Sequence, residues 1–163
     1  MTITNRFRYV TTLNRRCIKP AQGFTLVELI VVCAILGVLA MMAFPAYSAY
    51  ILSTKNARTI ADIRTLEKDI NAFYIDKSVY PTQLSDVGRG TTLDAWGHVY
   101  VYANILGGDA PLLDTLGVNL NVDFDIYSVG PNGNSALVST PVDTDDDIVR
   151  SHEGSYVGLR EGI

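Results

Sequence analysis

From Leu29 to Leu52 the chain runs 24 residues without a charged side chain. No other feature constrains the fold as strongly. A helix of that length spans the ~30 Å hydrocarbon core of a bilayer. A basic stretch precedes it: residues 1–22 hold Arg6, Arg8, Arg15, Arg16 and Lys19 and no acid. The positive-inside rule places residues 1–23 in the cytoplasm and the rest outside it. A secretory signal peptide has a shorter apolar stretch, followed by small residues at its cut site. Here the small-residue boundary, Gly23, comes before the apolar run. The sequence therefore predicts a span that stays attached when the basic leader is removed.

The apolar run flows into an amphipathic helix. Ala57, Ile60, Ile63, Leu66, Ile70, Phe73 and Tyr74 recur at three- and four-residue steps, with Lys55, Arg58, Asp62, Glu67, Lys68 and Asp69 between them. This is the period of a helix with one buried face. One helix from Phe24 to Asp76 would be about 80 Å long. Pro45 lies inside it and is expected to bend it, because proline removes a donor and crowds the preceding turn. Tyr80-Pro81 ends the pattern. Residues 81–97 read as loop. Strands are predicted at His98–Asn104 and at Val122–Val129, where Val122, Phe124, Ile126 and Ser128 share one face. A weaker strand is placed at Ser135–Thr140, after the turn Gly130-Pro131-Asn132-Gly133. No internal repeat is read. The fold class is α+β: a long N-terminal helix whose amphipathic half covers a small antiparallel sheet. The pieces are a leader at 1–23, an apolar helix at 24–52 and a globular domain at 53–163.

Composition removes several functions. Of 13 basic and 17 acidic residues, five basic ones lie in the leader, so the remainder sets 8 against 17. So acidic a domain does not suit sequence-independent nucleic-acid binding. The two cysteines, Cys17 and Cys33, form neither a disulfide framework nor a metal motif; Cys33 reads as a small apolar residue. There is no phosphate-binding loop, no His-Glu-x-x-His and no nucleophile motif, so no enzyme is expected. Trp96 and the tyrosines are expected to pack between loop and sheet, and His98 and His152 to sit at the surface or at strand ends. Phe24, Phe44, Tyr47, Tyr50, Phe73 and Tyr74 are read as packing residues rather than an electron path.

The segment from Gly23 through Phe24, Thr25 and Glu28 to Val32, behind its basic leader, resembles the cleavage and assembly signature of type IV pilins and type II secretion pseudopilins. A Gly precedes the cut, Phe follows it, and Glu28 is the fifth residue of the cut chain. The resemblance implies that a prepilin peptidase cuts between Gly23 and Phe24 and methylates the Phe24 amine. A carboxylate inside an apolar span is costly and needs a partner. Glu28 is expected to pair with the Phe24 amine of a neighbouring subunit and to set its axial register, with Pro45 as the helix bend. Two further segments narrow the resemblance. Asp94-Ala95-Trp96-Gly97-His98-Val99-Tyr100 and Asp125-Ile126-Tyr127-Ser128-Val129-Gly130, with Asp146-Asp147-Ile148, are similar to segments of major pseudopilins.

That resemblance implies calcium, held by the side chains of Asn132, Asp146 and Asp147 and the carbonyls of Val129 and Asn134. Calcium takes six to eight hard oxygens, which such a set can begin to supply. Asn132 stands where the family has Asp, and the stretch from Asn134 to Asp145 is longer than the family's loop; Asp143 and Asp145 are possible substitutes. The competing reading is a solvated acidic turn. The implied function is a pseudopilus subunit: a homopolymer through its N-terminal helices, working with minor pseudopilins and an inner-membrane assembly platform to export folded proteins. It would sit in the inner membrane with its domain in the periplasm, then in a periplasmic filament. The alternative is a pilin of a surface pilus. A membrane-anchored binding domain that never polymerises would have no use for Glu28.

Overall fold

The computed structural model describes residues 23–136 and 146–160. Contacts divide it into two units, with the boundary between Ala43 and Phe44. Helix α1 runs from Leu26 to Lys77 without interruption and includes Pro45. It is long and apolar enough to cross a membrane. Its start is fixed locally. Thr25 precedes the first turn, its carbonyl accepts the Leu29 N–H, and its hydroxyl accepts the Glu28 N–H at 3.1 Å. Glu28 Oε2 in turn accepts the Thr25 N–H and hydroxyl, both at 3.0 Å. This is a capping box, with Glu28 at the third helical position. Among the described residues of the first unit every large apolar side chain is exposed, from Phe24 and Leu26 through Leu39 to Met42.

In the second unit the lower half of α1 meets a four-stranded antiparallel sheet. Its strands are β1 (Val101–Ala103), β2 (Asp125–Ser128), β3 (Ile148–Ser151) and β4 (Tyr156–Leu159), side by side in chain order. Ile63, Leu66 and Ile70 of α1 pack against Tyr100, Phe124, Ile126 and Ile148. Each of these buried aliphatic side chains contributes about 1.5–3 kcal/mol. The predicted stripe is narrower than expected: Ala57 and Tyr74 are exposed, and Thr59 is buried in the same row. The second face of the sheet is covered as well. Leu112 and Leu120 pack on Val149 and Tyr127, and the Asp125 carboxylate accepts the Leu112 N–H and an Asn121 amide bond.

Four expectations change in detail. The first strand is only Val101–Ala103, because His98 and Val99 close a turn in which Val99 pairs with Leu93. The second begins at Asp125, and Val122 is exposed. Ser135 and Ala136 are not in a strand, and the rest of that candidate lies outside the described residues. The β3–β4 hairpin was not read at all. Arginines hide it: Arg150 lies in β3 and Arg160 directly follows β4, both buried.

An internal repeat is also present, contrary to the sequence reading. Leu93-Asp94-Ala95-Trp96-Gly97-His98 and Leu113-Asp114-Thr115-Leu116-Gly117-Val118 form the same turn. In each, the Asp N–H donates to the carbonyl four residues on, and the Gly N–H donates to the Asp carbonyl. In each, the Asp Oδ1 accepts N–H groups two and four residues on. The glycine has positive φ in both, +95° and +80°, which favours a residue without Cβ. The copies differ in surroundings. Trp96 is half-buried under Lys55, whereas Leu116 is 87% exposed.

Candidate functional site

Two loci carry the residues singled out by the sequence. The first is the start of α1. Gly23 and Phe24 are exposed, and Phe24 touches no core. A Cβ added to Gly23 would meet nothing within 4 Å. Among the described residues nothing therefore asks for glycine at that position. Glu28 is exposed too, and its local bonds fall on Oε2 alone, from Thr25. Sequence reasoning missed the Thr25–Glu28 pairing, although Thr-x-x-Glu ahead of an apolar run is its usual signature. Pro45 lies in mid-helix, and one turn on the Ser48 hydroxyl donates to the Phe44 carbonyl.

The second locus lies where β2 ends and β3 begins. Here the segments that carried the family resemblance come together. The Asp94 carboxylate is buried, and its Oδ2 accepts the Ser128 hydroxyl at 2.5 Å. His98 Nδ1 lies 2.9 Å from the Gly130 carbonyl. Gly130 has φ +62°, and a Cβ there would collide with the carbonyl oxygen of Asp146. Only glycine lets the turn close against the acidic pair.

Asn132 and Asp146 face each other. The Asn132 N–H and amide donate to Asp146 Oδ2 and Oδ1, at 3.0 and 2.7 Å, and Asn132 Oδ1 accepts the Asn134 N–H at 2.7 Å. Asp147 points inward, away from solvent. Its Oδ2 accepts the Ser135 hydroxyl at 2.6 Å and lies 3.5 Å from Arg160 Nη1; its Oδ1 is buried without a hydrogen bond among the described residues. Burial pushes the Asp147 carboxyl up to about 6, more than Ser135 and Arg160 pull it down. Val129 and Asn134 flank the turn, and Asp143 and Asp145 lie outside the described residues.

Asp146 is occupied by Asn132, which presents N–H groups to it. Asp147 is shared with a guanidinium. Among the described residues no group of three or more His, Cys, Asp or Glu side chains could hold a metal ion. Among the described residues Asp147 Oδ1 is a buried acceptor without a hydrogen bond, and calcium takes six to eight oxygens.

A third cluster was not foreseen. The guanidinium of Arg150, on β3, is 2% exposed. Its Nε donates to Glu67 of α1 at 2.9 Å, its two terminal nitrogens grip Asp123 at 2.8 and 2.7 Å, and it lies 4.0 Å over the Phe124 ring. Arg64 adds bonds to Glu67 and to the Gly154 carbonyl. The cluster fastens helix to sheet and leaves nothing open to a ligand.

Residues 18–44 match the family described as the prokaryotic N-terminal methylation motif. The motif indicates a type IV pilin-like or pseudopilin protein, and proteins of that class are structural rather than enzymes. It implies processing by a prepilin peptidase and pilus-like polymerisation. The long N-terminal helix and the small four-stranded antiparallel sheet agree with a pilin fold. No curated protein and no solved structure matches the chain.

Proposed function

We propose that the chain is the subunit of a type II secretion pseudopilus, made as an inner-membrane precursor and assembled into a periplasmic filament. The observation that carries the assembly reading is the uncovered apolar half of α1. Its side chains are exposed among the described residues, so a bilayer before assembly and neighbouring helices after it are the surroundings that suit them. Cleavage falls between Gly23 and Phe24. The fold is indifferent to a Cβ at Gly23, so the glycine answers to the peptidase that grips the precursor. Once cut, the Phe24 amine is the partner for Glu28 of an adjoining subunit. With Thr25 on Oε2, Glu28 Oε1 remains for that contact. Minor pseudopilins and an inner-membrane platform are the further partners.

The choice of pseudopilus over surface pilus rests on the Asp94 turn and the Ser128–Gly130 segment, which resemble those of major pseudopilins. Their direct contacts, Asp94 to Ser128 and His98 to Gly130, support reading them as one unit. A deletion strain tests it. Extracellular enzymes should be lost while sheared surface filaments stay at the parent's level. Lost filaments with an unchanged set of secreted proteins would make this a pilin.

A further inference from the structure

The corner that the resemblance assigns to calcium already holds a cation of its own. The side chains of Asp147 and Arg160 are both 0% exposed, with Nη1 3.5 Å from Oδ2. Arg160 is anchored from several directions. Its Nη1 donates to the Ala136 carbonyl at 2.7 Å and its Nη2 to the Leu113 carbonyl at 2.8 Å. Its backbone N–H donates to the Asp147 carbonyl at 2.9 Å. One arginine thus joins the first residue of the second turn, the segment after Asn134, the residue before β3 and the end of β4. A divalent ion on Asp147 would lie beside this fixed positive charge in a poorly solvated site, where like charges repel strongly. Asp146 offers it no relief, since both its oxygens accept N–H groups from Asn132.

We propose that Arg160 is the resident cation of this corner, standing where the family resemblance puts calcium, so that the domain folds and stays folded without the metal. The inference concerns this chain's own charge balance and stands for a pseudopilin and a pilin alike. It also accounts for the burial of an arginine immediately after β4.

The test is thermal melting of the full-length chain in detergent micelles, in calcium chloride and in EGTA, for wild type, Arg160→Gln, Asp147→Asn and the double variant. Wild type should melt at the same temperature in both buffers. Arg160→Gln should melt on the order of 10 °C lower, because it strands a buried carboxylate. The double variant should regain part of that loss, because the stranded charge is gone; a purely structural role for the arginine stem would give no such recovery. A wild-type melting temperature raised by calcium would overturn the proposal, as would a double variant that falls by the sum of the singles. If Arg160→Gln does not fold, a double variant that does fold is the same coupling in stronger form, and one that also fails counts against it.

Discussion

Arg150 is held by two carboxylates from distant parts of the chain, Glu67 and Asp123, and each needs the guanidinium as much as it needs them. Burial raises the Asp123 carboxyl, but the Arg150 hydrogen bonds, the Phe124 N–H and the Arg150 charge together outweigh it and leave the group below its ordinary value. A carboxyl lowered on folding stabilises the folded state fully above its unfolded value near ~3.9, and that contribution is lost as pH falls through the lower folded value. Arg150→Met keeps a stem over Phe124 but removes the charge. It should cost about 3–5 kcal/mol at neutral pH, the usual penalty for stranding buried partners. Below about pH 4 the penalty should shrink, because the stranded Asp123 carboxylate can then be protonated and no longer carries a buried charge. Urea denaturation of both proteins at pH 7 and near pH 3 decides it. An equal penalty at both pH values would mean that packing, not charge, is what the residue supplies.

At the level of elements, the helix was legible and the sheet only partly so. A charge-free run and a period near 3.6 identify α1 without help from the rest of the chain. The strands are short, and two of their three pairings involve Ile148–Ser151 or Tyr156–Leu159. There a buried arginine in β3, and another just past β4, disguise an apolar pattern, because their charges are neutralised by residues far away in sequence. The candidate site divides in the same way. Gly23, Phe24 and Glu28 stand out by local spacing. The partners that define the second locus, Ser135 and Arg160, depend on tertiary contacts that no local pattern announces. The repeated Leu-Asp-x-x-Gly turn was there to be read, but its copies share only three residues. Its two versions predict different costs. Asp94 accepts two local N–H groups and the Ser128 hydroxyl, whereas Asp114 accepts only the local pair. Asp94→Ala should therefore lose about 2–3 kcal/mol and Asp114→Ala about 1 kcal/mol, from the usual worth of bonds to a charged acceptor. Chemical denaturation of the two variants measures the difference, and equal losses would mean the Asp94–Ser128 link adds nothing.

For the whole molecule, the apolar half of α1 and the globular half solve different problems. The second unit closes its own core, while the first leaves Leu26, Val27, Leu29 and Ile30 bare. A bilayer satisfies those side chains as well as a neighbouring helix does, so apolar contact alone gives a subunit little reason to leave the membrane. A carboxylate does. Among the described residues only Thr25 answers Glu28; in the proposed filament its partner is the Phe24 amine of another subunit. Glu28→Leu should therefore insert as well as wild type, or better, yet fail to assemble. Membrane fractionation should find the variant at the parent's level, and shearing or cross-linking should find few or no filaments. Thr25→Val, which removes one of the two bonds to the Glu28 carboxylate and the acceptor of the Glu28 N–H, should leave the carboxylate less well placed and lower the filament yield without abolishing it. Filaments at wild-type yield from Glu28→Leu would mean that helix packing alone sets the register, and the charge at this position would need another explanation.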